Sequence, residues 1–211
     1  MSFDLVAPYY RWMECVLAGG VMQRGRVAFL DEIPAARNIL LLGEGHGRCL
    51  VECCRRFPKA RIDCVDASER MLAEARRRLR RSHLEATQVN FIQADILNGL
   101  PVGETYDLIA THFFLDCFRS DQLELIIPGI AAGAIPGANW LIADFQIPPA
   151  GLPRLRARLI LWMLYAFFRA TTQLPADRLT APDSLLQRAG FALSRRVDSD
   201  WGLLHSDWWR R

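Results

Sequence analysis

Lysine is nearly missing from this chain: Lys59 is the only one, so almost all of the positive charge is arginine. With 26 basic and 23 acidic residues, the net charge is only +3. That balance argues against a surface built around nucleic acid. We read the arginine bias as codon usage and assign it no function. Long apolar runs are missing too. The run Leu159–Phe168 has ten residues, against the roughly twenty that a membrane-spanning helix needs. A basic start followed by an apolar stretch is lacking, so no secretory leader is expected. The six cysteines (Cys15, Cys49, Cys53, Cys54, Cys64 and Cys117) contain no CxxC pair and sit mostly in apolar surroundings. Buried thiols in a reducing compartment, the cytoplasm, are the expectation. No zinc-ligand cluster, nucleophile elbow or phosphate loop occurs, so no metal is expected. Internal repeats and low-complexity tracts are absent as well.

What is present centres on Asn38–Arg48. Ile39 to Leu42 are consecutive large apolar residues, the signature of a strand buried on both faces. Gly43, Gly45 and Gly47 follow at alternate positions, and then a helical pattern begins with Cys49, Leu50, Cys53, Cys54 and Phe57. A buried strand, a glycine turn and a helix start together form a place where backbone amides face a ligand. The third glycine of a dinucleotide fingerprint would fall on Arg48, so GxGxxG is not matched. Glu44 inside the turn would repel a pyrophosphate but suit a cofactor bearing an ammonium or a sulfonium. The alternative is a tight turn without a ligand.

Strands and helices then alternate to residue 144: strands over 60–65, 89–94, 106–110 and 140–143, helices over 47–57, 69–81 and 120–132. This alternation predicts a parallel α/β sheet. Polar groups close the strands, at the edge where open α/β sheets bind ligands. Asp66 lies 23 residues beyond Gly43, a spacing that suits the two hydroxyls of a ribose. The alternative, a cap for the helix that follows, is open to Ser68 too, and the spacing favours the ligand role for Asp66. Asp95 ends the third strand, His112 follows the fourth, and Asp144 ends the fifth. The arginines of helix 69–81 read as a solvated face, with nucleic-acid contact as the alternative. Beyond residue 180 come a short helix and two strands over 191–197 and 203–209, whose short link makes them antiparallel.

Taken together, Gly43-Glu-Gly-His-Gly47, Asp66, Asp95-Ile96 and the Pro-Gly turn leading to Asp144 resemble the motifs of class I S-adenosylmethionine (SAM)-dependent methyltransferases. The resemblance spans about residues 36–209 and looks closest to small-molecule members. It implies a Rossmann-like doubly wound sheet of seven strands, mostly parallel, with an antiparallel hairpin near its end. It implies SAM as cofactor and S-adenosylhomocysteine as product, held by Gly43, Glu44, Gly45, His46, Gly47, Asp66, Ala67, Met71, Asp95, Ile96, His112 and Phe113. The family's acid two residues before the first glycine is Leu41 here, and Glu44 is the candidate substitute.

The expected activity is methyl transfer to a small, hydrophobic or aromatic acceptor. The alternatives are a non-catalytic SAM-binding sensor or partner subunit and, more remotely, an RNA or DNA methyltransferase. His112 is the first choice for a base, with a pocket-wall role equally open; His46 and Asp116 are the other candidates. Residues 1–211 are expected to form one domain with a helical cap over 1–34 and a helical insertion over 148–178. Aromatics of both segments, Tyr9, Tyr10, Trp12, Trp162 and Phe167, together with Asp116, are the candidates for the acceptor pocket. Arginines flank the apolar run of helix 155–171. Packing on the domain, a subunit contact in a homodimer, and peripheral membrane contact therefore all stay open for it.

Overall fold

The structure, a computed structural model, describes residues 19–84, 88–101, 103, 105–172 and 179–211, without the side chains of 19 and 167–172. Tyr9, Tyr10, Trp12, Cys15 and the side chain of Phe167 lie outside the described residues. Seven strands form one sheet in the order β3-β2-β1-β4-β5-β7-β6. They are β1 (Asn38–Leu42), β2 (Arg61–Asp66), β3 (Gln88–Gln93), β4 (Tyr106–His112), β5 (Ala134–Phe145), β6 (Ala192–Ser199) and β7 (Leu204–Arg210). The first five are parallel, and β7 enters antiparallel between β5 and β6. The helices are α1 (Gly19–Val27), α2 (Arg48–Arg56), α3 (Glu69–Arg81), α4 (Ser120–Ala132), α5 (Gly151–Thr172) and α6 (Asp183–Arg188).

The apolar run of β1 divides between two cores, because successive side chains point to opposite faces. Ile39 and Leu41 pack with Cys49, Leu50 and Cys53 of α2 and Leu72 and Ala75 of α3. Leu40 and Leu42 pack on the other face with Leu123, Ile126 and Ile130 of α4 and Leu186 of α6. Both faces of the central strand are thereby removed from water, the main source of stability in such a sheet. A third cluster joins Met22 of α1, Phe113, Phe145 and Leu203 to Ala157 and Leu161 of α5. It lies beyond the carboxyl ends of β4 and β5.

Two segments differ from the sequence expectation. β5 begins at Ala134 instead of Trp140, because Ala134 pairs with Tyr106 while Asn139 pairs with Leu108. Residues 135–138, with Gly137 at φ +82°, bulge out between the two pairings. Helix α5 starts at Gly151, several residues early, since Pro153 falls in the first turn, where the amides have no intrahelical partner anyway. Among the described residues no helix is long and apolar enough to cross a membrane, and Cys49, Cys53, Cys54, Cys64 and Cys117 are free thiols.

Candidate active site

The glycine turn sits at the carboxyl end of β1. Gly43, Gly45 and Gly47 all have left-handed backbones, with φ of +64°, +60° and +73°. They serve different ends. A β-carbon on Gly43 would strike the Phe114 ring, and one on Gly47 would strike the Ala75 backbone at 2.8 Å. A β-carbon on Gly45 would meet nothing within 4 Å, so the middle of the turn faces open space above the strand ends. Arg78 of α3 buttresses the turn by donating from Nε to the His46 carbonyl at 2.6 Å. Arg78 is thus half-buried and committed, not part of a solvated arginine face.

Asp66 ends β2 beside this turn. Its Oδ2 accepts from the Gly45 amide at 3.3 Å and its Oδ1 from the Ser68 amide at 2.9 Å. Capping of α3 falls to Ser68, whose hydroxyl accepts from the Met71 amide at 3.2 Å. The cap weighed for Asp66 thus falls to Ser68, and Asp66 itself braces the turn. Asp95 stands half-buried at the end of β3 and accepts from the Leu97 amide at 3.0 Å, with Ile96 buried beside it. Gly45, Asp66 and Asp95 thus line successive strand ends along one edge. Ala67 and Met71 follow Asp66 in sequence, just before and within the first turn of α3, with Met71 buried.

Glu44 turns inward. Its Oε1 accepts from the amides of Cys49 and Leu50 at 2.6 and 3.1 Å, covering two of the unsatisfied donors that open α2. Burial raises its pKa to about 7, although Arg26 and the two amides pull the other way. Arg26, on α1, is buried and lies over the Phe113 ring, 5.0 Å from its centroid. His112 is buried on the same side of the sheet. Burial, and then the Arg26 charge, lower its pKa to about 3, so it stays neutral and is a weak base. Glu44, Cys49 and His112 bring one potential metal ligand each within 4.8 Å of one another. The surroundings oppose a cation there. Arg26 already acts on Glu44 and His112, and the Cys49 thiol is held protonated by its hydrogen bond with Cys53 and by burial.

The other side of the β4–β5 edge is also polar. Asp144 is buried, and its Oδ1 accepts from the Phe114 amide at 3.2 Å, while Oδ2 has no hydrogen-bond partner among the described residues. Burial, then the neighbouring Asp116 charge, raise its pKa well above the usual carboxylate range. His205 is the cross-strand partner of Asp144 on β7. Its Nδ1 stands 3.0 Å from Asp207 Oδ1, without hydrogen-bond alignment. Asp207 is fully buried, and Arg196 grips it through Nε at 2.6 Å and Nη2 at 2.5 Å. Burial opposes its ionisation, but Arg196 and His205 outweigh burial and hold its carboxyl below the usual range. Asp116, half-buried after β4, has a pKa raised to about 6 by burial, partly offset by the Cys117 thiol and His205. Tyr165 of α5 donates its hydroxyl to the Asp116 carbonyl at 3.2 Å.

Phe113 marks where these groups meet. It is a non-glycine residue at φ +53°, its amide held by the Ala143 carbonyl at 2.7 Å. Such a backbone persists only where the surroundings impose it. Among the expected residues, the structure gathers Gly43 to Gly47, Asp66, Asp95, His112, Phe113 and Asp116 along one edge. Trp162, expected to line the pocket, instead stands on the outer face of α5, 65% exposed. Sequence reasoning missed Arg26, which no motif marks. It also missed His205 and Asp207 as a pair, although polar residues at alternate positions of an apolar strand were a usable signal.

The comparisons with known proteins agree with this geometry. A methyltransferase-domain family model matches residues 39–137. A malonyl-[acyl-carrier protein] O-methyltransferase of Halalkalibacterium halodurans is 40% identical over 79 residues, covering 36% of this chain and 28% of that protein. A demethylmenaquinone methyltransferase of Thermus thermophilus is 28% identical over 207 residues, covering 90% of this chain and 91% of that protein. The crystal structure of the N-methyltransferase NodS from Bradyrhizobium japonicum, in complex with S-adenosylhomocysteine, superposes with a TM-score of 0.63 at 15% identity, covering 90% of this chain and 83% of that one. At that identity the superposition speaks for the fold alone. The chain's matches span less than half the length of the first curated relatives. Residues 39–137, just under half of the chain, thus match a methyltransferase domain, on a fold shared with SAM-dependent methyltransferases.

Proposed function

We propose that this protein transfers the methyl group of SAM to a small, apolar or aromatic acceptor. The observation that carries the reading is the open space at Gly45, bounded by the Asp66 and Asp95 strand ends. A nucleoside fits there with its ribose towards Asp66 and its base towards Asp95 and Ile96. SAM, when bound, supplies a methyl on a sulfonium that a nucleophile can displace directly, leaving S-adenosylhomocysteine. The protein's part is alignment, exclusion of water and removal of the acceptor's proton. Arg26 provides positive charge for the cofactor's carboxylate end, since Glu44 already serves the start of α2.

With its pKa near 3, His112 better serves as a neutral wall than as a base. Asp116, with its pKa near 6, is ionised at neutral pH yet basic enough to take a proton from an acidic hydroxyl. The apolar cluster of Phe113, Phe145 and Leu161 beneath α5 favours an apolar acceptor beside it. We read the chain as one methyltransferase domain, with residues 1–34 as a cap and 148–178 as an insertion over the acceptor side.

Calorimetry should find binding of SAM and S-adenosylhomocysteine and none of NAD. Radiolabelled SAM should then transfer label to members of a panel of phenols and quinols. The rate should rise with pH through about 6, and Asp116→Asn should remove that rise. Preference for NAD would overturn the cofactor assignment. SAM binding without transfer to any acceptor would favour a non-catalytic SAM-binding protein.

A further inference from the structure

Helix α5 is apolar on two opposite faces. One face, with Ala157 and Leu161, is buried against the third cluster. The other points outward and carries Leu152, Leu155, Leu159, Trp162 and Met163, which are 79%, 68%, 58%, 65% and 49% exposed. Their spacing of three and four residues places them on a single stripe. A surface helix normally presents charged residues there, and a contiguous exposed apolar stripe of this length marks an interaction surface.

The flanks of the stripe are basic. Arg154, Arg156 and Arg158 are exposed, and the helix contains no acidic residue. A second element extends the patch. The turn Asp200–Gly202 between β6 and β7 is tied to α5 by Arg156, whose Nη2 lies 3.1 Å from both Asp200 carboxylate oxygens. At its tip Trp201 is 72% exposed and held in a left-handed backbone with φ +59°. A bulky residue rarely adopts that conformation without compensation. The fold thus spends strain to keep an indole in solvent beside an apolar, arginine-flanked stripe.

We propose that the outer face of α5, with Trp201, docks on an anionic membrane surface. Three features select this occupant over a protein partner. The stripe has leucines at its centre for the acyl region. It has two indoles, Trp162 and Trp201, of the kind that settle at the boundary between headgroups and acyl chains. With Arg156 held by Asp200, the exposed guanidinium of Arg158, and that of Arg154 beyond its bond to the Pro149 carbonyl, can pair with lipid phosphates. The geometry is that of a helix lying in the interface plane. Its inner face roofs the apolar cluster at the acceptor side, so docking would bring that cluster next to the lipid. This inference rests on the surface of α5 and does not depend on the acceptor or on catalysis.

The test is sedimentation with vesicles of phosphatidylcholine alone or mixed with phosphatidylglycerol. The protein should bind the mixed vesicles at least about tenfold more strongly, lose most of that preference at high salt, and shift its tryptophan emission to the blue. The double substitution Leu155→Glu, Leu159→Glu should abolish binding, and Arg158→Gln should reduce only the preference for the anionic lipid. Calorimetry with S-adenosylhomocysteine and the circular dichroism of each variant show whether the fold is kept, separately from vesicle binding. Equal sedimentation of the native chain and the double variant, or no binding to either vesicle, would overturn the proposal. So would a dimer in solution that the double variant splits while vesicles go unbound, since that result assigns the stripe to a second copy of this chain.

Discussion

The Phe114 ring occupies the position that a side chain on Gly43 would need: a β-carbon there would clash with Phe114 Cδ2. The glycine turn and the loop after β4 are therefore fitted to each other, and Gly43 is required by packing as well as by its φ of +64°. Gly43→Ala should destabilise the protein by about 2–4 kcal/mol, from the left-handed backbone and the displaced ring together. Gly45→Ala meets nothing within 4 Å and should cost only about 1 kcal/mol of stability, yet it should weaken SAM binding at least as much as the Gly43 change. Urea denaturation and calorimetry on the two variants separate these effects. Equal loss of stability in both would mean that the turn is not fitted to Phe114.

Asp66 bonds the Gly45 and Ser68 amides, so its removal should touch both the turn and the cofactor. Asp66→Ala should lower SAM affinity by about 1.5–3 kcal/mol, the scale for hydrogen bonds involving a charged group. The apolar residues of β2 should keep the chain folded. An unchanged dissociation constant in a folded variant would restrict Asp66 to shaping the turn.

The buried pair of His112 and Glu44 gives opposite pH signatures. The folded-state pKa of His112 is depressed, from 6.5 to about 3. Its contribution is fully present above pH 6.5 and is lost as pH falls towards 3, by up to about 1.4 kcal/mol per pH unit. The pKa of Glu44 is raised, from 4.5 to about 7. Its contribution is present below pH 4.5 and is lost as pH rises through 7. The two slopes oppose each other between pH 4.5 and 6.5, so His112→Gln should flatten the acid limb below pH 4.5 and uncover, between pH 4.5 and 6.5, the fall with rising pH that belongs to Glu44. A variant whose acid limb is as steep as the native one would show that His112 does not titrate as its burial dictates.

Much of this arrangement was legible in the sequence, for physical reasons that also explain the rest. The unbroken apolar run of β1 and the stripe Met71, Leu72, Ala75 and Leu79 on α3 are local patterns, and local patterns carry over directly into elements. The acid at the end of β2 was found because a βαβ unit fixes its distance from the glycines. The direction of the Glu44 side chain was not legible, because it depends on the free amides of α2 and on Arg26 from another helix. The extra length of β5 was not legible either. Its first residue is held by Tyr106 across the sheet, and four intervening residues carry no strand signal. The outward aim of Trp162 depends on which face of α5 is buried, and a helix apolar on both sides does not reveal that in its sequence.

Asp207 has no accessible surface and is gripped through both oxygens by Arg196, with the Trp209 indole donating to Oδ2 at 3.2 Å. Breaking a buried pair from one side leaves the other charge uncompensated. Asp207→Ala should cost about 3 kcal/mol, the low end of the range for buried pairs, since Arg196 keeps some contact with water. Joint replacement of Asp207 and Arg196 by leucine should recover most of that loss in urea denaturation. A double variant as unstable as Asp207→Ala would mean that the carboxylate is needed for His205 and Trp209 more than for Arg196.

The sheet order has a consequence for the sequence of events as the chain folds. β1, β2 and β3 lie side by side in the order in which they occur, so the edge bearing Gly45, Asp66 and Asp95 closes through short connections. β7 must instead slide between β5 and β6, and only then does His205 come opposite Asp144. Loop closure of this longer kind is slower. During refolding, amides of β1 to β3 should gain protection from exchange before those of β5 and β7. A partly folded chain would then hold a nucleoside-sized cleft before it has a wall on the acceptor side, so capture of the cofactor could precede completion of the enzyme.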